Sequence, residues 1–132
     1  MLRIDGALRD EMVAHARADH PDEACGLVAG VDGRPTRVIR MTNIARSPTF
    51  YEMDPREQLG AFREMDDGDE ELVAIYHSHT ATEAYPSRTD ISIAGYPDAH
   101  YVLVSTRDPE IDELRSYRIV DGVVTEEPVE VG

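Results

Sequence analysis

The chain has 132 residues, 41% of them hydrophobic and 30% charged, and its 27 acidic against 13 basic side chains give a formal net charge of −14. Such a balance fits one soluble globular domain over residues 1–132 and argues against DNA, RNA and anionic membrane surfaces, which are bound through basic patches. No apolar run approaches membrane-spanning length, the N-terminus lacks the apolar core of a signal peptide, and the one cysteine cannot close an internal disulfide, so the expected compartment is the reducing cytoplasm.

Residues Gly6 to His20 read as the first helix. Leu8, Met12, Val13 and Ala16 recur at helical spacing, with Arg9, Asp10, Glu11 and Arg17 on the other side and Pro21 as a stop. His15 and His20 fall on or just after this helix, where a histidine near the negative end of the dipole is ordinarily structural; neither is given a metal role. Cys25 to Val31 reads as a central strand, Asp32-Gly33 as a turn, and Pro35 to Met41 as the returning strand of a hairpin, partly exposed through Arg34, Arg37 and Arg40. Cys25 raises the rival of a thiol nucleophile, which needs a lowered pKa from a partner that the sequence does not show; core packing is the better reading. Asn43 to Tyr51 is polar and contains proline, so it reads as a loop beside a substrate groove. Asn43 and Ser47 could bond an extended peptide, although both are standard turn formers. Asp54-Pro55-Arg56-Glu57 combines a cap, a first-turn proline and a capping box, and Leu59, Phe62 and Met65 form the expected buried face of a second helix. The acidic run Asp66 to Glu71 reads as a solvated loop.

The apolar run Leu72 to Tyr76 reads as a buried strand leading into His77, Ser78 and His79. Residues two apart on a strand share a face, so both imidazoles point to one side at the strand's C-terminal end. Neutral imidazole is a common zinc ligand, and Asp90, eleven residues past His79, supplies a third ligand if the intervening turn folds back. Two histidines and a carboxylate leave the fourth tetrahedral position open, the catalytic rather than the structural pattern. Taken singly, His-x-His is common by chance, and Ser87-Arg88-Thr89-Asp90 is also a capping box opening a short helix that runs to about Gly95. The two readings are compatible, because the cap can hold Asp90 in the first helical turn, aimed back at the strand end. His100 to Ser105 is a further buried strand, with His100 read as a strand-end core histidine. Glu113 to Val120 and Val123 to Glu126 form a hairpin about Asp121-Gly122. The fold class is mixed α/β (α+β), with a mixed central sheet flanked by helices.

A metal site of this kind needs a general base. Glu23 enters a buried strand, where a charge is costly unless paired or at work near a metal, although an exposed loop acid is the simpler reading. Taken together, Glu23, His77-Ser78-His79, seven residues, Ser87, two residues and Asp90 resemble the complete signature of the JAMM (MPN+) metalloprotease family. That resemblance implies the MPN fold, zinc on His77, His79 and Asp90, Glu23 as general base and Ser87 as oxyanion donor. The segments H-P-D-E-A-C-G, M-T-N-I-A-R-S-P-T-F-Y and D-A-H-Y-V-L-V-S-T-R-D-P are also similar to actinobacterial members of the family. Those members release cysteine from the C-terminus of a ubiquitin-like sulfur carrier protein, so the implied substrate is such a carrier ending in Gly-Gly-Cys. The alternatives are a general ubiquitin-like deconjugating metallo-isopeptidase and a non-catalytic MPN binding module; the complete residue set weighs against the second. A zinc nucleoside deaminase is disfavoured, since no Pro-Cys-x-x-Cys pair is present.

Overall fold

A computed structural model describes residues 1–132. In chain order the elements are β1 (Leu2–Ile4), α1 (Gly6–Asp19), β2 (Cys25–Val31), β3 (Arg34–Met41), α2 (Pro55–Asp67), β4 (Glu71–His79), α3 (Arg88–Ile93), β5 (His100–Ser105), β6 (Glu113–Val120), β7 (Val123–Glu127) and β8 (Val129–Val131). Six strands make one sheet in the order β3-β2-β4-β5-β6-β7, with only β4 and β5 parallel. Parallel neighbours need a crossover, and α3 with its flanking loops provides it.

The sheet is buried on both faces. Cys25, Leu27, Ile75, Tyr101 and Leu103 pack on one side with Ala61 and Met65 of α2. Val28, Ala74, Tyr76, Val102 and Val104 pack on the other with Met12, Val13 and Ala16 of α1. Alternation along β2, β4 and β5, broken by a β2–β4 register shift at Val28/Ala29 that puts Leu72 on the Ile75 side, separates the two cores. Each fully buried Leu or Val contributes about 1.5–3 kcal/mol. His77 and His79 continue the Ile75 side, so they emerge beneath the α2 face.

Both Asp-Gly turns form as expected. Asp32 and Gly33 adopt φ 52° and 76°, and Asp121 and Gly122 adopt 50° and 76°, the pair of positive values that a two-residue type I′ hairpin requires. Gly26 serves a different purpose, since a Cβ there would collide with the Tyr76 ring. Its absence lets Tyr76 lie across β2 and reach His15, whose Nδ1 is 2.6 Å from the Tyr76 hydroxyl. His15 is thereby a buried structural histidine, within the core rather than merely at the helix end.

Several features differ from the sequence reading. The capping box expected on α2 does not close: Asp54 caps through Arg56 N–H, but Glu57 accepts from Thr42 instead. The expected acidic loop narrows to residues 68–70 between α2 and β4. The short β1 and β8 pair in parallel as a second sheet, a contact between the two ends of the chain that three-residue strands do not signal. On α2, Ala61 and Met65 are buried while Leu59 is 54% exposed, so the buried stripe is rotated from the expected one. The third helix also stops early, at Ile93 with Ala94 as its cap, two residues before Gly95. No helix is long and apolar enough to cross a membrane.

Candidate metal centre

Strand register assembles the centre. Cys25 pairs with His77 in the antiparallel β2–β4 ladder, so Glu23, two residues earlier, lies level with His79. Ser78 fixes that alignment from the opposite face: its hydroxyl accepts from Ala24 N–H at 2.8 Å and its own N–H donates to Ala24 C=O at 3.0 Å.

The loop after β4 folds back as Asp90 requires. Ser105 donates to Thr82 C=O at 2.6 Å, Glu113 accepts from Ala84 N–H at 2.8 Å, and the Tyr117 hydroxyl donates to Ala84 C=O. Ser87 then caps α3. Its Oγ accepts from Asp90 N–H at 3.1 Å, and its N–H donates to Asp90 Oδ2 at 2.8 Å. The capping box therefore holds the carboxylate over the strand end, so the structural reading of these residues is fulfilled and Asp90 stands where a third ligand would have to stand.

Asp90 Oδ2 lies 3.1 Å from His77 Nε2 and 3.0 Å from His79 Nε2, and the three donor atoms lie within 4.8 Å of one another. His79 Nδ1 is 3.0 Å from Glu83 C=O; an Nδ1–H donated there leaves Nε2 with a free lone pair. His77 Nε2 is buried and makes no hydrogen bond of its own, despite its proximity to Asp90. A buried nitrogen without a partner is costly, and two imidazoles plus a carboxylate converging on one point are what a divalent cation satisfies. The residues fit a metal.

The electrostatics agree. Burial holds the His77 imidazole below its ordinary value despite Asp90, keeping it neutral as a ligand must be. Burial alone would raise Asp90, yet the two imidazoles overcome it and hold the carboxyl far below the usual range. Burial pushes Glu23, 4% exposed, up to about 7, with His79 opposing and Asp90 adding. Glu23 is not the exposed loop acid of the simpler reading. A base near neutrality suits proton transfer at physiological pH. Cys25 is fully buried and pushed up to about 12 by burial, the opposite of what a thiolate nucleophile needs.

Without metal, the stability of the protein should depend on pH through Glu23. A carboxyl raised from 4.5 to about 7 contributes stability below its unfolded pKa and loses it as pH rises through the folded one. In chelator-treated protein Glu23→Gln should melt above wild type at about pH 8, and the difference should shrink toward about pH 5. A gap independent of pH, read by thermal melting, would contradict the buried charge.

Two neighbours of the centre carry little sequence signal. Asn43 is buried, and its side chain donates to Glu23 C=O and Phe50 C=O while accepting from Ala45 and Glu52 N–H, at 2.9–3.0 Å. It organises the whole loop from Asn43 to Met53 against Glu23, more than a turn former does. Tyr51 stacks on His77, ring centroids 4.6 Å apart and planes 29° from parallel. Beside this stack lies a mainly apolar cavity of about 410 Å³, walled by Phe50, Tyr51, Met53, Ile93, Tyr96 and Tyr101 and reaching His77 and Asp90.

Residues 6–120 match the family described as prokaryotic homologs of the JAB domain. The chain is 68% identical over 133 aligned positions to the CysO-cysteine peptidase of Mycobacterium tuberculosis, covering 99% of this chain and 91% of that one. It is 35% identical over 111 positions to the desampylase of Haloferax volcanii, covering 79% and 80%. Among solved structures, a protein from Desulfitobacterium hafniense superposes with a TM-score of 0.89 at 36% identity, covering 100% of this chain and 93% of that one. A JAB1/MPN domain protein from Archaeoglobus fulgidus, at TM-score 0.64, 19% identity and coverage of 99% and 98%, shares the fold.

Proposed function

We propose that this chain, which belongs to the prokaryotic JAB-domain family, is a single-domain zinc peptidase that hydrolyses the bond after the C-terminal glycine of a ubiquitin-like sulfur carrier protein and releases cysteine. The convergence of His77, His79 and Asp90 on one point beside the buried Glu23 carries this reading. The similarity to the M. tuberculosis CysO-cysteine peptidase and the H. volcanii desampylase supports a carrier-protein substrate. The single free, buried cysteine is in keeping with a cytoplasmic enzyme.

Zinc on these three residues would supply Lewis acidity, lowering the pKa of a bound water toward ~7 and polarising the scissile carbonyl. Glu23, buried level with His79, takes the proton of the attacking water and returns it to the leaving amine. The Ser87 hydroxyl, whose oxygen accepts from Asp90 N–H, keeps its own proton free to donate to the carbonyl oxygen as charge develops. One such donor is worth roughly 3 kcal/mol. The cavity beside Tyr51 gives an apolar wall for the carrier's tail, whose glycines let its backbone approach the metal.

The second reading, deconjugation of isopeptide-linked ubiquitin-like proteins, is favoured by the similarity to the desampylase. Parallel digestion of one carrier presented with a C-terminal cysteine and as a lysine isopeptide conjugate separates the two. Faster release of cysteine is expected, and preference for the isopeptide would reverse the assignment.

A further inference from the structure

Glu23 borders a second cavity, of about 480 Å³, which shares no lining residue with the apolar groove. Eight of its nine lining residues are polar, charged or otherwise non-hydrophobic, among them Asp19, Asp22, Arg40 and Arg46. Nothing in the metal-centre chemistry uses the two arginines.

The chemistry of the leaving group supplies a use, given the peptidase reading on which this inference rests. The residue released from a chain terminus carries a free α-carboxylate, whose carbon lies about 2.5 Å from the amine nitrogen by backbone geometry. Glu23 must reach that amine to protonate it. The departing carboxylate is therefore brought within a few ångströms of Glu23, with Asp22 and Asp19 in the same cavity and a chain of net charge −14 around it. Like charges at that range repel, and since the metal is already shared by Asp90 and the scissile carbonyl, the carboxylate calls for a cation of its own in the cavity it enters. An isopeptide leaving group, a lysine side chain within a protein, makes no such demand.

Arg46 meets it. All thirteen basic side chains are arginines, and eight of them (3, 9, 17, 37, 40, 107, 115 and 118) have a carboxylate within 4.0 Å. Of the five that do not, Arg46 is the one sharing a cavity with Glu23. Its backbone supports the same assignment. Four non-glycine residues adopt positive φ; three are aspartates, which tolerate that region, and the fourth is Arg46 at 46°. The conformation is held by loop contacts that end on Glu23 itself: Asn43 donates to Glu23 C=O, and Glu23 N–H donates to Ser47 C=O, each at 2.9 Å. Backbone strain of this kind persists where surrounding structure over-determines it, and it gathers at functional sites. Arg40, only loosely matched to Glu11 at 4.0 Å, stands in the same cavity as a second cation.

We propose that Arg46, assisted by Arg40, binds the α-carboxylate of the leaving residue, making the enzyme selective for a C-terminal amino acid over an internal or isopeptide linkage. The test compares kcat/KM for one carrier ending in Gly-Gly-Cys with a free carboxylate and the same carrier ending in the carboxamide. Wild type should prefer the carboxylate by about tenfold to a hundredfold, the range for a hydrogen bond to a charged group. Arg46→Gln should bring that ratio close to one, and Arg46→Lys should retain part of it. Equal rates for both carriers with wild type, or an undiminished preference in Arg46→Gln, would overturn the proposal. If zinc-loaded wild type cleaves neither carrier, the peptidase reading itself fails and this inference falls with it.

Discussion

Zinc-loaded Glu23→Gln should turn over at least ~10²-fold more slowly than wild type, the lower end of what a positioned general base contributes. The substitution is nearly isosteric, and the contacts that tie this position to the loop use its backbone N–H and C=O, which glutamine preserves. The three donor atoms that converge on one point belong to His77, His79 and Asp90, so metal stoichiometry should be unchanged. What the amide lacks is a basic lone pair able to hold the proton between attack and departure of the amine. Elemental analysis and turnover measured on one preparation separate the two effects. Comparable activity in metal-loaded Glu23→Gln would remove Glu23 as the base, whatever its burial.

The second large effect is expected at Asp90. Asp90→Asn should lose zinc on dialysis, falling from one ion per chain to a small fraction of one, because a neutral amide replaces the single anionic ligand. Loss of an outer hydrogen-bond partner already costs ~10–100-fold in metal affinity, and a direct ligand should exceed that. Asp90 also accepts from Ser87 N–H in the capping box, so some stability, about 1 kcal/mol, should go with it. His77→Ala should lose the metal without touching the cap. Loss of zinc in both variants, with a cap effect in only one, distinguishes ligation from folding; intact stoichiometry in either would mean that the ligand set is wrong.

Local signals in the chain carried much of this far. Asp-Gly at 32–33 and 121–122 marked both hairpins, because few other residue pairs accept two successive positive φ values. His77, His79, Ser87 and Asp90 were legible through strand alternation and a capping box, and the loop between them folds as those signals require. Glu23 was different. Its reading as a base came from resemblance to a known family, since nothing local distinguishes an acid before a strand from an acid in a loop, and only register with β4 shows it level with His79. The remaining gaps are non-local. The β1–β8 pairing joins the two ends of the chain, Asn43 bonds residues as distant as Glu23, and Tyr51 stacks on a histidine of β4. Leu59 faces solvent because helical spacing gives a periodicity without saying which of two adjacent stripes the sheet will cover.

The most direct measurement is intact-protein mass of a ubiquitin-like carrier ending in Gly-Gly-Cys after incubation with the enzyme, with and without a zinc chelator. Loss of one cysteine residue, stopped by the chelator and restored by added zinc, is the expected result. Cleavage indifferent to the chelator would contradict metal chemistry at His77, His79 and Asp90.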